Sequence, residues 1–349
     1  MKTTKTKRSD QKLGVALVGL GRYAGGQLAP ALQQTKHCRL AAVVSGSPGK
    51  REKWQQQYGL NTDSLYGYGD FADIAQNKSV DIVYVVLPNA MHAEYVIKAA
   101  RAGKHVICEK PMATTLDDCR PMIDACKKAG VHLGIGYRLH YDPYNLKMML
   151  MAEEQSFGRV TQVYADDSML FEKPEWRLDA KLAGGGPLMN NGIYCIQAAI
   201  YVMHDLPISV TARFLKDETG MAKTVEAGIE WELEFPDSRL ATCVSTYNHE
   251  GDILRAEGTN GWFKLEPAYE YKGLHGETSE GEFDYPTISQ QAAQMDDFAL
   301  TVRKNIPSIV PGEMGMRDVE IIMAIYESAI ENRRVLLSLD AYRGHAMTV

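Results

Sequence analysis

The 349-residue chain lacks what a membrane span, a nucleic-acid surface or a metal centre would ask of it. No apolar run approaches the roughly 18–20 residues that cross a bilayer, which excludes a membrane-spanning protein. Acidic residues outnumber basic ones, 44 to 38, and a net charge of −6 leaves no basic excess for phosphate backbones. Nucleic acid is excluded as the main partner. The six cysteines (38, 108, 119, 126, 195, 243) show no C-x-x-C spacing and sit mostly among apolar neighbours. Reduced, buried thiols in a cytoplasmic protein are therefore expected. The nine histidines form no H-E-x-x-H or similar pattern, so no metal site is expected. Residues 1–10, MKTTKTKRSD, are basic without an apolar stretch and read as a flexible solvated arm.

What is present describes a soluble globular chain, 45% apolar and 23% charged, of a length that suits about two domains. Short apolar runs at 13–18, 40–44, 82–87 and 106–108 each end in glycine, proline or a polar turn, as buried parallel strands do. Between the last two, Ala93, Val96, Ile97 and Ala100 mark one face of a helix that Gly103 stops. Strands alternating with helices imply right-handed crossovers and a parallel sheet covered on both faces. After Gly136 the rhythm changes. Asp142-Pro143 starts a helix, and apolar–polar alternation over 160–164, 208–214, 227–235, 240–246 and 262–265 predicts an antiparallel sheet with one wet face. Val319, Ile322, Met323 and Tyr326 mark a closing helix. The expected organisation is an α/β Rossmann domain over 11–135, then an α+β domain over 136–349 with a large, mostly antiparallel open sheet.

The sequence 19–24, GLGRYA, is G-x-G-x-x-A between a strand and a helix. Such a turn lets backbone approach a pyrophosphate, which then sits on the helix N-terminus. The same pattern also occurs in ordinary strand-to-helix turns; the strand before it and the crossover after it favour the dinucleotide site. At the end of the second strand, NAD-selective sites commonly place an acid for the ribose 2′-hydroxyl. Here Ser45, Ser47, Lys50 and Arg51 come first, with no acid until Glu52, a setting that suits a 2′-phosphate and thus NADP. Lys110, in Cys108-Glu109-Lys110-Pro111, follows a parallel strand at the sheet edge where ligands bind. His140 reads as hydrogen-bonded structure, and Tyr269 and Tyr271 as core.

These motifs, with Leu87-Pro88-Asn89 and His92, Gly136-Tyr137-Arg138, Trp176-Arg177 and GGGPLMNNGIY over 184–194, stand in one order along nearly the whole chain. In that order they resemble the glucose–fructose oxidoreductase / inositol dehydrogenase / rhizopine catabolism family, its glucose–fructose branch above all. The resemblance implies a nicotinamide cofactor, a sugar or polyol between the domains, and a homodimer or homotetramer built on the open sheet. It implies that Lys110 is the active-site lysine and Tyr194 the proton-transfer residue. Gly19, Gly21, Arg22 and Tyr23 would hold the pyrophosphate side, and Ser45 and Lys50 the 2′-phosphate. Leu87, Pro88, Asn89 and His92 would line the nicotinamide ribose, with Glu109, Arg138, Trp176 and Arg177 completing the cofactor site. The implied reaction is oxidation of an aldose at C1 to the lactone, with bound NADP then serving a second sugar. A dehydrogenase with exchangeable cofactor, or an inert sensor, are the other readings. One position departs from the family pattern: Asn190 stands where a carboxylate is common. We expect Lys110 to depress the Tyr194 pKa, Asn190 to spare the phenolate a repulsion, and Gly192 to leave room beside the cofactor.

Overall fold

The computed structural model describes residues 11–171, 173 and 175–345. The basic arm over 1–10 lies outside the described residues. Six strands, β1 (Leu13–Val18), β2 (Cys38–Val44), β3 (Leu65–Tyr66), β4 (Ile82–Val85), β5 (His105–Cys108) and β6 (Leu133–Ile135), form a parallel sheet in the order 3-2-1-4-5-6. That is the doubly wound dinucleotide-binding order, which places a crevice beyond the carboxyl ends of β1 and β4. Both faces of β1 and β4 are buried, so their sequences are continuously apolar. The run expected over 82–87 stops as a strand at Val85, and Val86 and Leu87 line the crevice instead.

The second sheet has nine strands: β7 (Val160–Ser168), β8 (Ser209–Leu215), β9 (Gly228–Phe235), β10 (Arg239–Thr246), β11 (Gly251–Gly258), β12 (Gly261–Leu265), β13 (Gly276–Thr278), β14 (Gly281–Phe283) and β15 (Val335–Leu336). Its order is 14-13-12-11-7-10-9-8-15, antiparallel except where β10 runs parallel to β7. The helix Ile193–Met203 packs on β7, and all eleven of its residues are buried. A helix surrounded on all sides carries no polar stripe, which is why IYCIQAAIYVM shows little amphipathic period. The helix Pro143–Glu153 starts as its sequence predicts, with the Asp142 carboxylate accepting from the backbone N–H of Tyr144 and Asn145 at 2.9 and 3.4 Å.

The last two long helices cross back toward the first sheet. Met295, Phe298 and Ala299 of Gln290–Lys304 share one core with Val15, Leu17 and Tyr84. The Asp296 carboxylate of the same helix accepts from the N–H groups of Lys36 and His37 at 2.8 and 2.7 Å, just ahead of β2. The helix Gly312–Glu331 packs on both β8 and the helix Leu116–Ala129. A division of the chain near 135 is thus one of sequence order rather than of packing.

The two fingerprint glycines do different work. Gly19 has φ +102°, and a Cβ there would lie 2.5 Å from the Val86 carbonyl oxygen. A Cβ at Gly21 would meet nothing within 4 Å. Gly19→Ala is expected to lower stability by about 1–3 kcal/mol, whereas Gly21→Ala changes it by less than about 0.5 kcal/mol. Urea unfolding midpoints of the two variants check the contrast.

Candidate active site

The crevice at the edge of the parallel sheet continues into a cleft of about 1230 Å³ whose other wall belongs to the second sheet. Pockets for single drug-sized ligands run to roughly 300–1,000 Å³, so this one has room for a dinucleotide and a small second molecule. Gly19, Gly21 and Arg22 line it, with Ser45 and Lys50 at the end of β2, and the Tyr23 ring lies deeper, 6.3 Å from that of Tyr271. The open space over Gly21 is where an anion could meet the backbone. Ser45 is buried and Lys50 exposed. The Arg51 guanidinium donates to the Ser45 carbonyl oxygen. Leu87, Pro88 and Asn89 also line the cleft, and the Asn89 amide donates to the Ala183 carbonyl at 2.8 Å.

His92 departs from its expected place. Its ring is fully buried, with Nδ1 2.9 Å from the Pro111 carbonyl oxygen and Nε2 2.9 Å from that of Leu87. It ties together two turns that border the cleft but does not face the cleft itself. Burial also lowers its pKa. Glu109 lines the cleft and accepts from the Tyr84 hydroxyl at 2.6 Å; burial raises its pKa. From the second wall, the Arg177 guanidinium lies 4.6 Å over the Trp176 ring. Glu175 bonds Arg22 of the glycine turn and, at 3.3 Å, Arg177, so an ion pair joins the two walls.

The run 184–194 is fixed by an acid outside it. Glu226 accepts from the N–H groups of Gly186 and Leu188 at 2.8 and 3.2 Å and from the Tyr326 hydroxyl at 2.8 Å. A Cβ at Gly186 would lie 2.2 Å from the Glu226 carbonyl oxygen, so the close approach requires glycine. Gly192 does not border the cofactor space: its missing side chain makes room for Trp231, Leu188 and Ser245 in the core. This anchoring presents Asn190, Asn191 and Tyr194 to the cleft.

At the inner end the Lys110 ammonium donates to the Asn190 carbonyl oxygen and stands 4.4 Å over the Tyr194 ring. The Arg138 guanidinium lies 5.1 Å over the same ring and 4.2 Å over that of Tyr271. Three of its five donors are taken up by Gln290 and by the carbonyl oxygens of Tyr269 and Glu270, which fix the guanidinium against the cleft. Burial lowers the Lys110 pKa to about 8, against the pull of Asp167 and Glu109. The Tyr194 pKa is raised, chiefly by burial, and the principal cation opposing that rise is Arg138. The expectation that Lys110 depresses it is corrected: the pKa is raised, and Arg138 rather than Lys110 is the cation that opposes the rise. Nor does Asn190 leave the tyrosine free of acids, because Glu109 and Asp167 both push its pKa upward.

Several residues of this wall were not anticipated from the sequence. Asp167 and Asp252 face each other across β7 and β11, and both line the cleft with Asn191, Tyr269 and Tyr271. The signal for Asp167 was the alternation itself: Val163, Ala165 and Asp167 share one face of β7, and the first two are buried. An acid at the end of an apolar stripe is a candidate for a site. The two tyrosines carried no such signal.

The family model described as an oxidoreductase family with NAD-binding Rossmann fold matches residues 13–137, and that of the same family's C-terminal alpha/beta domain matches 151–337. The chain is 26% identical over 332 residues to a D-xylose 1-dehydrogenase [NADP(+)] of Haloarcula marismortui, covering 92% of each chain. A D-xylose 1-dehydrogenase (NADP(+)) 2 of Haloferax volcanii is 28% identical over 334 residues, 91% of this chain and 96% of that one. The crystal structure of an aldose-aldose oxidoreductase from Caulobacter crescentus, complexed with glycerol, superposes with a TM-score of 0.91 at 39% identity, over 94% of this chain and 100% of that one. With both of its parts matched, the protein belongs to the glucose–fructose oxidoreductase / inositol dehydrogenase / rhizopine catabolism family of oxidoreductases.

Proposed function

We propose that this chain is an NADP-dependent oxidoreductase that oxidises an aldose at C1 to the lactone. The observation that carries the reading is Tyr194. Two cations, Lys110 and Arg138, lie over its ring, while its hydroxyl makes no hydrogen bond to any described residue. A hydroxyl so placed, at the inner end of a cleft that begins at a dinucleotide turn, can exchange a proton with a substrate hydroxyl. When bound, NADP supplies the hydride acceptor for one sugar and, if retained, the hydride donor for the next. The Tyr194 phenol is held protonated by burial, the form needed to give a proton to a carbonyl under reduction. For oxidation it must first lose that proton, and Arg138 favours the loss.

The NADP choice is supported by Ser45 and Lys50 at the end of β2 and by the lack of an acid along 45–51. Sugar chemistry is supported by the names of the relatives, two D-xylose 1-dehydrogenases and an aldose-aldose oxidoreductase. Retention of the cofactor between two sugars is favoured over free exchange by the ion pair of Arg22 with Glu175, which joins both walls. Such an exposed pair is worth only ~0–1 kcal/mol, a latch rather than a lock. A homodimer or homotetramer on the open sheet face, where Tyr164 is exposed, belongs to the same reading.

Protein as isolated, mixed with a panel of aldoses, should develop reduced-nicotinamide absorbance without added cofactor. Tyr194→Phe keeps the ring and is expected to reduce turnover at least ~10²-fold with an unchanged unfolding midpoint. Full activity in that variant would remove Tyr194 from the chemistry. Lys50→Ala should raise the KM for NADP about tenfold or more while leaving that for NAD nearly unchanged, since one charge-assisted phosphate contact is lost. Steady-state kinetics with both cofactors measures it, and equal effects on the two would overturn the 2′-phosphate assignment.

A further inference from the structure

An amide occupies position 190; its backbone carbonyl accepts from Lys110, and its side chain leads through Asn191 to a carboxylate on a different element. Arg177 Nε donates to Asn190 Oδ1 at 3.0 Å, Asn190 Nδ2 to Asn191 Oδ1 at 2.5 Å, and Asn191 Nδ2 to Asp167 Oδ1 at 2.6 Å. A guanidinium can only donate and an ionised carboxylate only accept, so both amides are oriented by their ends once Asp167 is ionised, which burial delays to about pH 7. The row runs head to tail from cation to anion, and each bond polarises the next. An aspartate at 190 could accept from Arg177 but would have no N–H to pass on. The relay needs the amide.

Asp167 is 6% exposed on the apolar face of β7. Its neighbour across the strands, Asp252, is engaged elsewhere, accepting from the N–H groups of Ala268 and Tyr269 at 2.6 and 2.7 Å. Of the groups facing Lys110, Asp167 and Glu109 favour its charge, Arg177 and Arg138 oppose it, and the Tyr194 ring lies beneath. No direct ion pair joins Lys110 to Asp167 or to Glu109. Both groups line the cleft, and Asn190 connects them, through its carbonyl to Lys110 and through its side chain and Asn191 to Asp167; charges so buried interact more strongly than in water.

We propose that Asp167 is a positioning residue acting through Lys110: the Arg177–Asn190–Asn191 relay fixes its carboxylate as the counter-charge of the ammonium, supplying from β7 the acid that the family commonly carries at 190. The proposal rests on the reading of Lys110 as a working cation in this cleft. Asp167 is the largest single influence that raises the Lys110 pKa against burial. Its removal therefore moves the loss of the ammonium to lower pH.

The test is titration of Lys110 in the full chain, labelled with [ε-¹³C]lysine, its signal assigned by disappearance in Lys110→Met. In Asp167→Asn the midpoint is expected to fall by about one unit or more, as for loss of a nearby opposite charge. Asp167→Ser, which needs no new hydrogen-bond partner, serves if the asparagine variant does not fold. The double variant Asp167→Asn/Asn190→Asp should bring the midpoint back toward its original value, and Asp252→Asn should not lower it. The alkaline limb of kcat with an aldose should move in the same direction as the midpoint, with the sugar KM little changed. An unmoved midpoint in the Asp167 variants, an equal fall in Asp252→Asn, or no return in the double variant overturns the proposal. Midpoints that behave as stated in a protein that turns over no aldose support the pairing and sink the proposed activity instead, so the two failures are distinct.

Discussion

The contact between the Lys110 ammonium and the Asn190 carbonyl is the constraint on which the cleft depends. It joins the end of β5 to the turn that leads into the helix Ile193–Met203, and so ties the two walls together at the inner end of the cleft. A buried ammonium is costly unless it is solvated by protein groups. Here a carbonyl, an aromatic face and two carboxylates at longer range share that task. The inner cleft is nearly even in charge, with Lys110, Arg138 and Arg177 set against Glu109, Asp167 and Asp252. In such a balance an acid is not a local ornament. Moving one from the helix to a strand changes what the neighbouring amides must do.

The first half was legible because parallel strands buried on both faces leave continuous apolar runs, and the glycine turn between β1 and its helix marks the carboxyl edge. The strands β3 and β6, two and three residues long, carry too little pattern to be read. In the second half, alternation showed where most of the sheet lies, but β7 was cut short at 164 because Asp166 and Asp167 look like the end of a strand. They are instead the stretch where the strand enters the site. β11, with most of its residues only partly buried, had too weak an alternation to be seen.

The site divided in the same way. Residues next to a recognisable turn, such as Lys110, Asn89 and Ser45, line the cleft as the resemblance implied. His92 shows the limit of that reasoning, since one residue's place in a motif does not say which way its ring points. Its two carbonyl contacts make it a brace between loops. Tyr269 and Tyr271 could not be told from core tyrosines because burial and aromatic character are common to both roles. The relay was invisible for a stronger reason: its members come from three separate segments, and no short pattern can show that they meet.

The return of the helix Gln290–Lys304 to the first sheet bears on how the chain is made. Met295 and Phe298 fill a core whose other walls are β1, β4 and the helix after the glycine turn. A nascent chain synthesised as far as β6 would have every strand of the dinucleotide sheet yet an open apolar face beneath it. Domains that emerge early ordinarily fold as units during synthesis. This one has to keep that face from aggregation until about 160 further residues have been translated, which places a premium on chaperone protection of the amino-terminal half rather than on its intrinsic speed of folding.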